Sequence, residues 1–226
     1  MSLHTLCARA PQTPVRALLV DMDGVLFDTE GRSIDLIIDV IARQGLTMER
    51  EYIIANMGVG PSDLLARYRA HLGVGFDAQL YWDTYWRERN AYYDQHGMPV
   101  MRGVQSVLAR AGERGLPCVL ASSSPQKEVL ASLRRAGVDG YFREVVGGDM
   151  FAHSKPEPDI YLTAARLAGV APGECLVLED SPNGLKSGRA AGARTVMIPD
   201  IIPFSEALRP YCDYLCDDMA DVLALI

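Results

Sequence analysis

Five short apolar runs recur along the chain, and each ends in polar residues or glycine. They span residues 16–21, 118–122, 144–147, 175–179 and 195–199. Continuous Val, Leu and Ala content is typical of parallel strands that are covered on both faces. From residue 98 onward these runs alternate with helical patterns at the spacing of βαβ units. The pattern therefore predicts an α/β fold with a doubly wound, Rossmann-like parallel sheet.

Three helices of this core carry signals at both ends. They are predicted over residues 125–136, 158–168 and 182–191, each beginning at a proline and each followed by a glycine. Proline in the first turn and glycine after the last residue are ordinary start and stop signals of helices. In the first of the three, Val129, Leu130 and Leu133 share one face, as expected of a helix that packs on a sheet.

A long helical insertion interrupts this alternation. Residues 24–121 separate Asp23, just after the first apolar run, from Ser122 at the end of the second, whereas a βαβ unit needs only about thirty residues. Residues 29–97 show helical periodicity throughout, and the aromatic-rich segment 76–93 predicts one long helix. We therefore predict an all-helical second domain over 29–97, a Rossmann-like core over 15–28 and 98–226, and a flexible leader over 1–14.

Composition and charge exclude several classes of function. The 226 residues carry a net charge of -7 with scattered cations, and a nucleic-acid binder needs clustered ones. The longest nearly apolar stretch falls far short of the roughly 20 residues of a membrane span. We therefore expect neither nucleic-acid nor membrane partners. The odd number of cysteines, five, indicates a reducing, cytoplasmic setting.

Two carboxylates follow the first predicted strand. Asp21 and Asp23 stand two residues apart, so their side chains should point to the same side of the chain. Open α/β sheets place their ligand sites at this end of the strands. Gly24 permits a tight turn and a close backbone approach. The segment alone could be an ordinary strand-ending turn, because Asp and Gly are common turn formers.

Polar residues at three other strand ends favour a site over a turn. Ser122 and Ser123 precede a predicted helix, and hydroxyls beside helix-start N–H groups bind anions. Lys155, one of three lysines in the chain, follows the third core strand and can contact a phosphate. Glu179 and Asp180 close the fourth core strand and supply the carboxylates that a hard cation requires.

Four short motifs, met in this order, resemble the haloacid dehalogenase superfamily of phosphohydrolases. They are Asp21-Met22-Asp23-Gly24-Val25, Leu120-Ala121-Ser122, Lys155-Pro156 and Leu178-Glu179-Asp180-Ser181 with Gly184. The resemblance covers nearly the whole chain. It is closest to the β-phosphoglucomutase-like branch, which carries a helical cap domain between the first two motifs, where this chain has residues 29–97.

The resemblance implies roles for these residues. Asp21 would attack phosphorus and form an aspartyl-phosphate, and Asp23 would act as acid and then as base. Ser122, Ser123 and Lys155 would bind the phosphoryl group. The implied cofactor is Mg²⁺, held by Asp21, the Asp23 carbonyl and Asp180, with Glu179 either a ligand or a group that orients the ligands.

Within the family, the residues favour hydrolysis of a phosphomonoester. Residues 29–97 contain no lysine, and the loop 56–61 contains no cation to grip a second phosphate. A sugar phosphomutase remains the alternative, and a catalytically inactive binding module is a third reading. We expect a small phosphorylated metabolite as the partner, a sugar or polyol phosphate. Gly58, Val59 and Gly60 are candidates for substrate selection. The sequence leaves the exact substrate and the oligomeric state open.

Overall fold

The computed structural model describes residues 4–6 and 14–226, and within them the chain forms one seven-stranded sheet. The strands are β1 (His4–Thr5), β2 (Ala17–Val20), β3 (Cys118–Ser122), β4 (Phe142–Gly147), β5 (Cys175–Glu179), β6 (Arg194–Met197) and β7 (Tyr214–Leu215). Their order is β1-β7-β6-β5-β2-β3-β4. All neighbours are parallel except β1 and β7. The predicted doubly wound sheet is confirmed, with an antiparallel edge in addition.

Helices cover both faces of the sheet. They are α1 (Glu30–Ala42), α2 (Arg50–Ala55), α3 (Pro61–Leu72), α4 (Ala78–His96), α5 (Val104–Glu113), α6 (Gln126–Ala136), α7 (Asp159–Ala168) and α8 (Pro182–Ala190). Every residue of β2, β3 and β5 is buried. Leu18 and Val20 join the apolar cluster on one face, and Ala17 and Leu19 join that on the other, as the alternation of side chains along a strand requires.

Helices α1 to α4 occupy the segment between β2 and β3, and they have an apolar cluster of their own. Its fully buried members include Ile34, Ile41, Tyr68 and Tyr81. The domain limits at residues 28 and 98 stay predictions. Of the predicted flexible leader, residues 1–3 and 7–13 lie outside the described residues, whereas His4–Thr5 pairs with β7.

The helix signals in the sequence match the observed ends closely. Pro125 and Pro158 immediately precede α6 and α7, and α8 begins at Pro182. The aromatic helix predicted over 76–93 is α4, which begins after Asp77 because that side chain accepts a hydrogen bond from the Leu80 N–H. No helix among residues 4–6 and 14–226 combines the length and the apolar character needed to cross a lipid bilayer.

Candidate active site

The order of the strands brings the polar strand ends together. β2 lies between β3 and β5, so the chain leaves in opposite directions on the two sides of β2. A crevice at such a switch point is the usual ligand site of an open α/β sheet. Asp21 follows β2, Ser122 ends β3 and Glu179 ends β5. These three side chains therefore meet at one edge of the sheet.

Lys155 joins two of these strand ends by ion pairs. Its Nζ donates to Asp21 Oδ1 and to Glu179 Oε1, at 2.6 Å each, and to the Ala121 carbonyl at 3.2 Å. Its side chain is 1% exposed. Burial opposes the charged ammonium, but the two carboxylates outweigh burial and raise the pKa of Lys155. Lys155 is therefore a fixed positive charge beside Asp21.

Asp21 has an unusual ionisation for a carboxyl group. Burial is the largest cause, and it raises the pKa of Asp21 to about 7 while Lys155 opposes the rise and Glu179 adds to it. The pKa of Asp180 is raised as well, first by burial and then by Glu179. Several acids thus crowd a site that holds one ammonium group, and additional positive charge would stabilise their ionised forms.

The crowded acids offer the donor set of a hard cation. Asp21, Glu179 and Asp180 each present an oxygen within 4.8 Å of those of the other two. Asp180 Oδ2 is buried and has no hydrogen-bond partner. Carboxylate oxygens grouped in this way suit Mg²⁺ or Ca²⁺. The Asp23 carboxylate is not among these three, so the ligand role predicted for Asp23 concerns its backbone carbonyl and stays a prediction.

Glu179 is saturated by neighbours. Oε1 accepts from Lys155 Nζ and from the Tyr161 hydroxyl at 2.6 Å. Oε2 accepts from the backbone N–H groups of Asp180 and Ser181 and from the Ser181 hydroxyl. Burial alone would raise the pKa of Glu179, but Lys155 and these hydrogen bonds lower it by more, so the pKa lies below its ordinary value. Tyr161, in α7, has no signal in the sequence that marks it as part of this network.

Two glycines allow close approaches to these carboxylates. Gly24 has φ +74°, and a β-carbon there would overlap the Asp180 carboxylate; a β-carbon at Gly184, in α8, would overlap that of Glu179. Gly112, in α5, has open space around it.

Gly184→Ala should therefore lower the free energy of unfolding by about 3 kcal/mol, the upper end of the usual cost of overpacking, because Glu179 is held on both oxygens. Gly112→Ala is the matched control and should be neutral or stabilising by up to about 1 kcal/mol. Urea denaturation of both variants measures the difference, and equal stabilities would show that Glu179 can move at no cost.

Asp23 is held by three side chains from separate elements. Its Oδ1 accepts from the Thr29 hydroxyl at 2.5 Å and lies 3.4 Å from Arg89 Nη2, and its Oδ2 accepts from the Ser124 hydroxyl at 3.3 Å. Arg89, in α4, is 3% exposed and also donates to Ser132 at 3.3 Å. Sequence reasoning missed Arg89 because no motif in the sequence includes it.

The two predicted phosphate-binding serines have different partners. Ser122 Oγ accepts from the backbone N–H of Ser124 at 3.1 Å. Ser123 Oγ donates to the Gly58 carbonyl at 2.7 Å. The phosphate role of Ser123 stays a prediction, and this hydroxyl joins the core to the loop that contains Gly58, Val59 and Gly60. A β-carbon at Gly58 would meet Ser181, and one at Gly60 would meet Ser154.

One cavity collects most of the predicted site residues. Its lining includes Asp21, Asp23, Ser122, Ser123, Asp180, Gly58 and Val59. Most of its other lining residues come from α1 to α4. Lys155 and Glu179 lie behind Asp21, buried and in contact with one another. The arrangement places the carboxylates of Asp21 and Asp23 and the hydroxyls of Ser122 and Ser123 around one cavity.

A known protein family matches most of the chain. Residues 15–192 match the model of the haloacid dehalogenase-like hydrolases. The chain belongs to this family. The recognition made from the four motifs is thereby confirmed, and so is the prediction of an enzyme, a phosphatase of the haloacid dehalogenase type.

Individual relatives agree with the assignment. This hydrolase is 30% identical to phosphoglycolate phosphatase of Pectobacterium atrosepticum, over 96% of this chain and 94% of that one. It is 31% identical to the protein SUPPRESSOR OF QUENCHING 1 of Arabidopsis thaliana, over 86% of this chain but only 18% of that longer protein. The crystal structure of CbbY from Rhodobacter sphaeroides with xylulose-(1,5)bisphosphate superposes with a TM-score of 0.80 at 25% identity, covering 92% and 96% of the two chains.

Proposed function

We propose that this hydrolase removes the phosphoryl group from a small phosphorylated metabolite, a sugar or polyol phosphate, by transferring it first to Asp21. One observation carries the proposal: Asp21 lines the cavity together with Asp23 and Ser122, and the buried ammonium of Lys155 lies 2.6 Å from its Oδ1. Positioning and charge neutralisation are the main requirements of phosphoryl transfer. The phosphatase names of relatives support the same reaction.

In the first step a carboxylate oxygen of Asp21 attacks phosphorus, and the bond from phosphorus to the ester oxygen breaks. Asp23 gives its proton to the departing alkoxide, which leaves as an alcohol. In the second step Asp23 takes a proton from a water molecule, whose oxygen attacks the phosphorus of the aspartyl-phosphate. Inorganic phosphate departs and Asp21 is regenerated. Ser122 and Lys155 hold the phosphoryl oxygens during both steps.

Thr29, Ser124 and Arg89 hold Asp23 for this work. Their contacts fix the carboxylate on both oxygens at the border between α4 and the sheet. A proton donor must lie within hydrogen-bond reach of the leaving oxygen, so a fixed rotamer favours transfer.

Asp21 and Asp180 would hold a Mg²⁺ ion in this proposal, with the Asp23 carbonyl as a further ligand. A bound ion would supply positive charge that offsets the charge of the phosphoryl group. Glu179 then acts by orienting Lys155 and the start of α8, because its oxygens already accept from Lys155, Tyr161 and Ser181. A cytoplasmic setting stays part of the proposal, supported by four free, buried cysteines among the described residues.

Release of inorganic phosphate tests the proposal against the mutase alternative. Purified protein with Mg²⁺ should release phosphate from p-nitrophenyl phosphate and from a panel of metabolite phosphates. A hexose 1-phosphate with a bisphosphate activator should likewise yield free phosphate. Accumulation of the 6-phosphate without inorganic phosphate would establish a mutase instead, and inactivity on the whole panel would favour a binding module.

Mg²⁺ should raise the thermal stability of the protein after treatment with a chelator. A ligand at about 100-fold its dissociation constant adds about 2.7 kcal/mol to the free energy of unfolding, and in a chain of this size that raises Tm by about 5 to 10 °C. The change in Tm should be an increase because a bound cation relieves the repulsion among the crowded acids. Asp180→Asn should remove most of the shift. An identical shift in this variant would place the ion elsewhere.

A further inference from the structure

The walls of the active-site cavity away from the sheet are mainly apolar and aromatic, with Glu30, Ser33 and Asn56 as their polar members. The apolar and aromatic members from the inserted helices include Ile34, Ile37, Ile53, Tyr81, Trp82 and Trp86. Trp82 and Trp86 meet edge to face, with ring centroids 5.6 Å apart. Such faces bind uncharged groups by contact and by loss of water, and they offer nothing to a second anion.

No lysine or arginine lines this cavity in the described part of the chain. Three arginines that lie close to the cavity lining, in sequence or in space, have other partners. Arg89 is paired with Asp23, Arg67 donates to the Asn56 side chain at 3.0 Å, and Arg32 stacks over the Tyr92 ring at 4.6 Å. Lys155 contacts Asp21 and Glu179, so its charge serves the phosphoryl group that reacts.

The Asp and Glu side chains that line the cavity offer no counter-ion to a second anion. They are Asp21, Asp23, Glu30 and Asp180. A carboxylate or a second phosphate on the alcohol part of a substrate would therefore be buried without a counter-ion, which is costly. An uncharged alcohol meets no such penalty.

Hydrogen bonding in this part of the cavity is sparse. The Trp86 Nε1–H is buried and has no acceptor among the described residues. The Tyr85 hydroxyl already donates to Ser33 Oγ at 3.2 Å. The aromatic wall thus contributes contact area more than hydrogen bonds, as suits the carbon face of a neutral molecule.

From these observations we infer that the substrate is the monophosphate of an uncharged alcohol, whose carbon face stacks on the aromatic wall, and that bisphosphates and phosphorylated carboxylic acids are excluded. The inference rests on the proposed phosphatase function and narrows its substrate class. It separates this hydrolase from a relative named for phosphoglycolate and from a structure that holds a bisphosphate. Sugar monophosphates fit, because a sugar presents an apolar C–H face.

Matched pairs of substrates test the inference. We expect kcat/KM to be at least about tenfold higher for phenyl phosphate than for 4-carboxyphenyl phosphate, and for a hexose monophosphate than for the corresponding hexose bisphosphate. The members of the first pair differ mainly in the carboxylate. A smaller preference in both pairs, or a preference for the anionic members, overturns the inference while phosphate release still supports phosphatase activity. No release from any substrate would instead overturn the proposed function itself, and the inference with it.

A positive charge added to the aromatic wall should improve the turnover of substrates that carry a second anionic group. Trp82→Lys places a cation among the lining residues of α4, and we expect it to raise kcat/KM for 4-carboxyphenyl phosphate relative to phenyl phosphate by about tenfold. Leu80→Lys is the matched control, because Leu80 is 53% exposed in the same helix and does not line the cavity. Its substrate ratio should equal that of the wild type. Equal ratios in both variants would show that charge at this wall does not select the substrate.

Discussion

Replacing Asp21 with asparagine should lower kcat by about 10⁴-fold or more, the loss expected when a residue that acts in the chemical step is removed. The amide cannot attack phosphorus, so the first step of the proposed reaction has no nucleophile. Phosphate release under single-turnover and steady-state conditions measures the effect. Asn has nearly the same shape, and Lys155 keeps its bond to Glu179, so the fold should survive.

The stability of Asp21→Asn makes this result interpretable. The substitution removes one of the crowded buried acids, whose pKa burial has already raised to about 7, so thermal unfolding should change little. Asp35→Asn is the control for activity. Asp35, in α1, is exposed and pairs with Arg50 of α2, and such surface ion pairs contribute about 1 kcal/mol or less to stability. If Asp21→Asn keeps more than about a hundredth of the wild-type activity, a different nucleophile is required. This threshold lies about 100-fold above the activity that we expect to remain.

Replacing Lys155 with methionine should both destabilise the protein and stop turnover. The change removes the ammonium that bridges Asp21 and Glu179, and both carboxylates are buried. Breaking a buried pair by deleting one partner costs about 3–5 kcal/mol because the remaining charge is uncompensated. Turnover should fall as well, since the phosphoryl oxygens lose a fixed cation beside the nucleophile. Urea denaturation in the presence of a chelator gives the stability change.

Two further variants separate the electrostatic cause from a general effect of losing lysine. Lys127→Met alters an exposed lysine at the start of α6 and should leave stability and activity unchanged. The double variant Lys155→Met with Glu179→Gln should recover part of the lost stability but no activity, because it removes one uncompensated charge without restoring the cation. A single variant as stable as the wild type would contradict the predicted role of the ammonium in the fold.

The strands and most core helices could be predicted because their signals are local. Continuous apolar runs marked β2, β3 and β5, and prolines and glycines marked the ends of α6, α7 and α8. The antiparallel edge formed by β1 and β7 was not predicted. Each of these strands has two residues, too few to show a periodicity, and their pairing joins the two ends of the chain.

The inserted helices show the same limit at the active site. Their periodicity predicted helices, but the cavity depends on which faces of α1, α3 and α4 turn toward Asp21, and that depends on packing between helices. The loop with Gly58 lies between α2 and α3 and is a predicted candidate for substrate selection. Its contact with Ser123 in the core, by contrast, depends on how the insertion sits on the sheet.

The sequence by itself determined the chemistry at the strand ends: Asp21, Ser122 and Glu179 follow buried strands, and parallel strands place such residues at one edge of a sheet. Tertiary structure decided what surrounds that chemistry. Arg89 reaches Asp23, and Tyr161 reaches Glu179, only because α4 and α7 pack against the sheet at particular rotations. Contacts between distant segments leave no local pattern in the chain, so the partners that hold the Asp23 and Glu179 carboxylates, and the aromatic wall of the cavity, emerged only from the fold.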